Sequence, residues 1–257
     1  MPLDLVTVPC LKDNYAFLIH DRETGATAVV DVPEAGPILS ALAERGWTLT
    51  DVLLTHHHWD HVDGLPDLLE ELGAAVTVWG AEADTHRLPP LDRAVAEGQT
   101  HMFGSQKVRV MDVSGHTVGH IAFHFPGAAL LFSGDSLMAM GCGRLFEGTP
   151  AQMWRSLQKI AALPDETLIC SGHEYTTSNM RFAISLEPGN EALILRQEDI
   201  DRARAADEPT VPSTLALERQ TNPFLRAADP VLKSAVGMPD AAPDQVFAEI
   251  RGRKDRF

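Results

Sequence analysis

Apolar and polar positions alternate at strand spacing through the first two thirds of the chain and give way to helical spacing in the last third. Residues 3–8 and 14–20 read as two strands, with Asp21-Arg22-Glu23-Thr24-Gly25 as a turn before a third strand over 26–32. Helical spacing follows over 38–45, closed by Gly46. Residues 50–54 read as the end of a buried strand, 65–72 as a helix and 76–79 as a short strand. The stretch 84–93 is polar and loop-like, and strands are expected again over 102–103, 108–113, 121–125, 128–132 and 167–170. Between the last two, Thr149-Pro150-Ala151-Gln152 announces a helix reaching about Leu163. Thr serves as N-cap, Pro takes the first helical position, and Gln can complete a capping box.

Past Tyr175 the pattern becomes wholly helical. Residues 178–186, 191–206, 213–218 and 244–256 are predicted helices, separated by Pro188-Gly189, Pro209 to Pro212 and Pro223, with no strand pattern. The expected organisation is an α+β domain over 1–174 followed by a small all-helical domain over 175–257.

Composition excludes several partners. A net charge of −15 over 257 residues argues against a nucleic-acid surface, which needs clustered Lys and Arg. No apolar run approaches the ~20 residues that span a bilayer, and Met1-Pro2-Leu3-Asp4 lacks the basic, apolar start of a signal peptide. Cys10, Cys142 and Cys170 are odd in number and widely spaced, which fits reduced core thiols in the cytoplasm rather than a disulfide framework.

Candidate chemistry is concentrated in Thr55-His56-His57-His58-Trp59-Asp60-His61. In an extended segment alternate side chains share a face, so His56 and His58 point together and His57 points away. Asp60 and His61 fall where strand yields to helix. Imidazole and carboxylate are ligands for zinc and related dications, and two such pairs in succession point to two adjacent metal ions. Strand ends recur downstream at Ser114-Gly115-His116, Ser133-Gly134-Asp135 and Ser171-Gly172-His173. Side chains presented from neighbouring strand ends can meet at one point. Asp31 reads equally well as orienting a ligand histidine or as capping a turn. Trp59 and Trp154 read as core or packing residues, and His57 and His120 as structural neighbours of the site.

The set His56-x-His58-x-Asp60-His61, His116, Asp135, His173 resembles the metallo-β-lactamase superfamily. Asp13-Asn14-Tyr15, Gly141 to Thr149, Gly172-His173-Glu174-Tyr175-Thr176, Thr221 to Arg226 and Arg251 to Asp255 are similar to its glyoxalase II, or hydroxyacylglutathione hydrolase, family. That resemblance implies an αββα sandwich, with two facing sheets and helices outside, followed by a helical substrate-binding domain. It implies two divalent metal ions, zinc foremost and iron or manganese suiting the same donors. His56, His58 and His116 would hold the first ion, Asp60, His61 and His173 the second, and Asp135 would bridge them together with a hydroxide that attacks a thioester. Two dications less Asp60, Asp135 and hydroxide leave about one positive charge, which suits an anionic substrate. Glutathione contacts would fall on Arg144, Phe146, Tyr175, Arg251 and Lys254, with Arg144 and Phe146 standing where the family more often has Lys and Tyr. Arg251 and Lys254, three apart on a helix, share a face. The expected partner is a small glutathione thioester, handled by a monomer without nucleic acid or membrane. A persulfide dioxygenase with one iron, or a lactonase or β-lactam hydrolase on the same metal core, are the alternatives.

Overall fold

The computed structural model describes residues 3–73 and 75–257, so Met1 and Pro2 of the start read above, and Ala74, lie outside the described residues. The chain forms two compact units, one of residues up to Asp112 with Gly119–Gly134, the other of Val113–Val118 with Asp135–Phe257.

The first unit opens with β1 (Leu3–Cys10) and β2 (Asn14–Asp21), paired antiparallel so that Leu3 faces Asp21 and Cys10 faces Asn14. β3 (Thr27–Val30) continues antiparallel to β2. Helix α1 (Ala35–Arg45) then carries the chain to β4 (Asp51–Leu53), which joins β3 in parallel. Gly46 ends α1 in the left-handed conformation, φ 65°, as its sequence position predicts. After α2 (Trp59–Val62) and α3 (Leu65–Leu72), β5 (Thr77–Ala81) and β6 (Arg93–Val95) extend the sheet in parallel. β6 is a correction, because the polar residues before it hid a strand that pairs Arg93 with Trp79. Four antiparallel strands follow: β7 (Thr100–Phe103), β8 (Gln106–Asp112), β9 (Ile121–Phe125) and β10 (Leu130–Gly134).

The two groups of strands meet through aromatic side chains. Phe17 of β2 lies 5.7 Å from Phe132 of β10, which in turn lies 5.7 Å from Phe125. Burying each such ring contributes roughly 1.5–3 kcal/mol. Helix α1 packs on β1 and beside α3, so the unit has the facing sheets and outer helices of the expected layered fold. β9 and β10 are buried along their whole length, which explains their continuous apolar runs.

The second unit contains β11 (Leu137–Met138) and β12 (Gly141–Cys142), a short antiparallel pair, then α4 (Pro150–Ala161) and β13 (Leu168–Ser171). Thr149 caps α4 by accepting from Gln152 N at 3.2 Å, and the helix stops at Ala161, two residues before the expected end. The Gln152 side chain donates to Ser114 Oγ at 2.9 Å, outside the helix. Helices α5 (Thr176–Leu186) and α6 (Glu191–Ala205) follow, then β14 (Ser213–Thr214), α7 (Leu215–Thr221), α8 (Pro230–Ala235) and α9 (Pro243–Arg256). β14 corrects the expectation of a strand-free tail: two residues pair with β13, and the helix expected over 213–218 starts only at Leu215, capped by Thr214. Helix α8 is too short for its spacing to register in the sequence.

Trp154 is half-buried beside Phe247 of α9, 6.0 Å between ring centres, whereas Trp59 is 65% exposed and is no core residue. All three cysteines are buried free thiols. Burial pushes Cys10 up to about 12 and Cys142 up to about 11, and raises Cys170 further, so none is a nucleophile at neutral pH. Among the described residues no helix is long and apolar enough to cross a membrane.

Candidate metal centre

In the first unit β4 lies between β3 and β5, and Leu54 N extends the parallel ladder by donating to Trp79 O at 2.9 Å. The chain therefore delivers Thr55 to His58 at the carboxyl end of a buried strand, where ligand sites of parallel sheets form. Asp31, at the matching end of β3, fixes this segment. Its Oδ1 accepts from Thr55 N and its Oδ2 from Thr55 Oγ1, both at 2.8 Å, and Oδ2 also accepts from His61 Nδ1 at 2.8 Å. Since the Thr55 hydroxyl proton goes to Asp31, Oγ1 accepts from His56 Nδ1 at 3.0 Å. A carboxylate can only accept, so one side chain sets two tautomers: His56 and His61 both carry Nδ1–H and both turn an Nε2 electron pair outward. Asp31 thus performs both roles that its sequence position left open.

The imidazoles of the motif gather tightly. His56 lies 4.2 Å from His61 and 4.7 Å from His58 between ring centres, while His120 stacks on His56 at 4.6 Å. His57 points away, as alternation requires, and meets the buried carboxylate of Asp84 at 3.0 Å. Gly134, φ 48°, ends β10 where a Cβ would stand 2.5 Å from Thr55 Oγ1 and 2.8 Å from the His120 ring, so only glycine fits. Asn14 Nδ2 donates to Asp60 O at 3.0 Å and Oδ2 at 3.1 Å, which gives the Asp13-Asn14-Tyr15 triplet a physical role. Asp60 Oδ2 lies 4.0 Å from His61 Nε2.

The second unit repeats the arrangement with other residues. His116 Nδ1 donates to Arg144 O at 2.8 Å, and a carbonyl can only accept, so Nε2 again carries the electron pair. That Nε2 faces Asp135 Oδ2 at 3.5 Å, and His173 Nε2 faces the same oxygen at 3.3 Å. A lone pair aimed at a carboxylate oxygen is repulsive unless a cation or proton lies between them. The donor set of both units therefore fits a divalent ion. The loop bearing His116 is anchored on α4: Ser156 Oγ donates to Ser114 O at 2.6 Å, and a Cβ on Gly115 would stand 2.7 Å from Met153 Cβ.

The residues carried over as glutathione contacts all lie in the second unit. Phe146 is 63% exposed with its ring 5.3 Å from that of His116, and Tyr175 stacks on His173 at 4.6 Å. Arg144 is exposed. Lys254 donates to Ser178 O at 3.0 Å and lies over the rings of Phe182 and Phe257. Burial, with the charges of Arg251 and Arg144, lowers its ammonium to about 8. Arg251, by contrast, is only 5% exposed. Its Nη1 donates to Cys142 O at 2.9 Å, while Nε and Nη2 meet Asp255 at 3.1 and 2.9 Å. Asp84 and Thr55 escaped sequence reasoning; a carboxylate in a polar stretch and a threonine beside a histidine carry no signal of their own.

Layered sheets with histidine–carboxylate sets at strand ends define a metallo-β-lactamase fold, and the model of that superfamily, "Metallo-beta-lactamase superfamily", matches residues 14–173. Among solved structures, a B3 metallo-β-lactamase, BLEG-1, superposes with TM-score 0.66 at 20% identity, covering 86% of this chain and 99% of that one. TTHA1623 in a di-iron-bound form gives 0.62 at 26% identity, covering 86% and 100%. The model "Hydroxyacylglutathione hydrolase C-terminus" matches residues 174–257. Proteins named hydroxyacylglutathione hydrolase from Ruegeria pomeroyi and Rhodobacter capsulatus are 65% and 57% identical to the chain, with all of both chains covered in each case. The chain belongs to the hydroxyacylglutathione hydrolase family.

Proposed function

We propose that the chain hydrolyses the thioester of S-(2-hydroxyacyl)glutathione, with S-D-lactoylglutathione as substrate, to glutathione and D-lactate, the second step of methylglyoxal detoxification. The observation that carries this reading is the pairing of tautomer-fixed imidazoles with Asp60 and Asp135, together with a cationic group of Arg144, Arg251 and Lys254. In this reading His56, His58 and His116 would hold one divalent ion, Asp60, His61 and His173 would hold the other, and Asp135 would serve both. Zinc is the first choice, with iron or manganese suited to the same donors, as in the di-iron-bound relative. Bound there, such ions lower the pKa of water towards neutrality and polarise a carbonyl oxygen.

The protein's own part is charge and position. Asp60 and Asp135 supply the negative charge that makes two neighbouring dications tolerable. Asp31 and the Arg144 carbonyl keep the imidazole electron pairs aimed one way, so no proton has to leave a ring when an ion binds. Arg144, Arg251 and Lys254 offer their cations to the glutathione carboxylates, and the Phe146 and Tyr175 rings give the tripeptide apolar contact. The glutathione thiolate is a good leaving group and needs no dedicated acid. Residues 1–174 act as the catalytic domain and 175–257 as the substrate-binding domain, in a cytoplasmic monomer whose buried thiols stay reduced.

Lys254 supplies the test. With its ammonium lowered to about 8, it is charged below that pH and loses its hold on a carboxylate above it. For S-D-lactoylglutathione, KM should rise about tenfold as pH passes from 7 to 9.5. Lys254→Met should have the high KM throughout and lack that pH dependence. No hydrolysis of the thioester by metal-loaded wild type would defeat the proposed activity. A flat KM in wild type would remove Lys254 from the binding set.

A further inference from the structure

Between Asp135 and the Arg144 carbonyl, which receives the His116 Nδ1 proton, the chain makes a single hairpin. β11 and β12 pair Leu137 with Cys142 and Met138 with Gly141, which leaves Ala139 and Met140 as its turn. Met140 sits at φ 56°, a left-handed backbone that favours Gly, Asn or Asp over a long apolar side chain. Side chains of the helical tail hold it there. Glu218 Oε2 of α7 accepts from Met140 N at 2.8 Å, and the Met140 side chain is buried with Met180 and Ala183 of α5 and Leu193 and Ile200 of α6. Asn179 Nδ2 of α5 donates to Ala139 O at 3.0 Å. Asn222 Nδ2, just past α7, lies 3.0 Å from Met138 O, Gly141 O and Glu218 Oε2 and shares its two protons among them.

Glu218 is the centre of this anchorage. It is fully buried, and its other oxygen, Oε1, accepts from Ser213 Oγ at 2.6 Å and from the Arg196 guanidinium. A buried carboxylate met by donors on both oxygens has little freedom to shift. At the base of the hairpin Gly143 N donates to Ser136 O at 3.2 Å, and a Cβ on Gly143 would stand 2.1 Å from Asp135 O and 2.8 Å from His116 Nδ1. A short two-stranded hairpin has little stability of its own, so the place of its base follows from how its turn is held. We infer that Glu218 is a positioning residue for the metal centre: by holding Met140 N it sets where the hairpin delivers Asp135 and the carbonyl behind His116. A strained turn that its surroundings over-determine is the kind of feature that functional sites keep. The helical tail then has a second task beside glutathione, whose contacts stay with Arg144, Phe146, Tyr175, Arg251 and Lys254. This inference rests on the proposed metal-dependent hydrolysis.

The test compares Glu218→Gln and Glu218→Asp with Arg226→Met in the full-length protein, at a temperature where far-ultraviolet circular dichroism shows each one folded. In Glu218→Gln one oxygen must serve donors on two sides, so the NH2 group confronts either Met140 N and Asn222 or Arg196 and Ser213. Arg226→Met breaks the tail's ion pairs with Glu187 and Asp229 and touches none of the hairpin bonds. Zn2+ affinity is measured by competition with a chromophoric chelator, and the visible absorption of the Co2+-loaded protein reports ligand geometry. Glu218→Gln should bind at least one zinc ion about 10-fold or more weakly and shift the Co2+ bands. Glu218→Asp, whose shorter arm draws the carboxylate away from Met140 N, should lose about threefold or more. Arg226→Met should match wild type in both readouts. Wild-type affinity and bands in Glu218→Gln would overturn the inference. So would an equal loss in Arg226→Met, which would assign the effect to tail stability at large. If Glu218→Gln does not fold, Glu218→Asp decides: a zinc affinity equal to wild type overturns the inference, and a loss of about threefold or more supports it. A wild type that binds no zinc would defeat the metal reading itself, whereas one that binds zinc and spares the thioester leaves the Glu218 result readable.

Discussion

Asp135→Ala is expected to abolish thioester hydrolysis while the protein still folds. The Asp135 carboxylate is the group that both His116 Nε2 and His173 Nε2 face, at 3.5 and 3.3 Å from one oxygen. Removing it deletes the anion shared by both imidazoles, so two cations brought together there would lose the charge that reduces their repulsion. The fold tolerates the change better than the site does. Ala at this position removes a buried charge without adding volume, and Gly143 still packs on the Asp135 main chain. A loss of kcat of about 10³-fold or more is expected, with fewer than two metal ions per chain and an unchanged far-ultraviolet circular dichroism spectrum. Activity within tenfold of wild type would show that Asp135 holds no metal.

Asp31→Ala should have the largest effect on stability. Three donors, Thr55 N, Thr55 Oγ1 and His61 Nδ1, lose their acceptor at once in a buried setting. Residue 31 also sits at φ 57°, which Asp tolerates better than Ala. At about 1–2 kcal/mol for each of the three orphaned donors, the loss is about 3–6 kcal/mol in urea unfolding, much of the stability of an ordinary domain. Asp31→Asn separates folding from chemistry. Asn accepts the same backbone conformation and keeps one acceptor oxygen, so the protein should fold. With one oxygen for three donors, however, its NH2 must confront either Thr55 N or the Thr55 hydroxyl and His61 Nδ1, and metal affinity should fall by about 10–100-fold. Asp31→Ala unfolding within 1 kcal/mol of wild type would mean that these bonds are not what fixes the strand end.

The histidine and carboxylate positions of the candidate site are legible in the sequence because strand alternation and strand ends are local features. His56 and His58 share a face through strand alternation alone, and the structure turns His57 away to Asp84 as that alternation demands. The strand ends preceding His116, Asp135 and His173 were equally plain from apolar runs closed by Ser-Gly. What could not be read was everything that depends on meeting a distant partner. Arg251 and Lys254 look equivalent three residues apart on one helix. Yet Arg251 is buried on the Cys142 carbonyl, while Lys254 lies between rings above Ser178. Trp59 departs from its expected packing role for a related reason: a large apolar side chain within the histidine motif resembles core, but the short α2 turns it to solvent. β6 and β14, at three and two residues, are strands by pairing and not by pattern.

The central claim is that His56, His58, Asp60 and His61 serve the same pair of ions as His116, Asp135 and His173. An anomalous-difference map from crystals of the zinc-loaded protein tests it most directly. The account predicts two strong peaks a few ångströms apart, one contacted by His56, His58 and His116, the other by Asp60, His61 and His173, with an Asp135 oxygen on each. Peaks bound by only one of the two residue groups, or no second peak at full zinc loading, would contradict it.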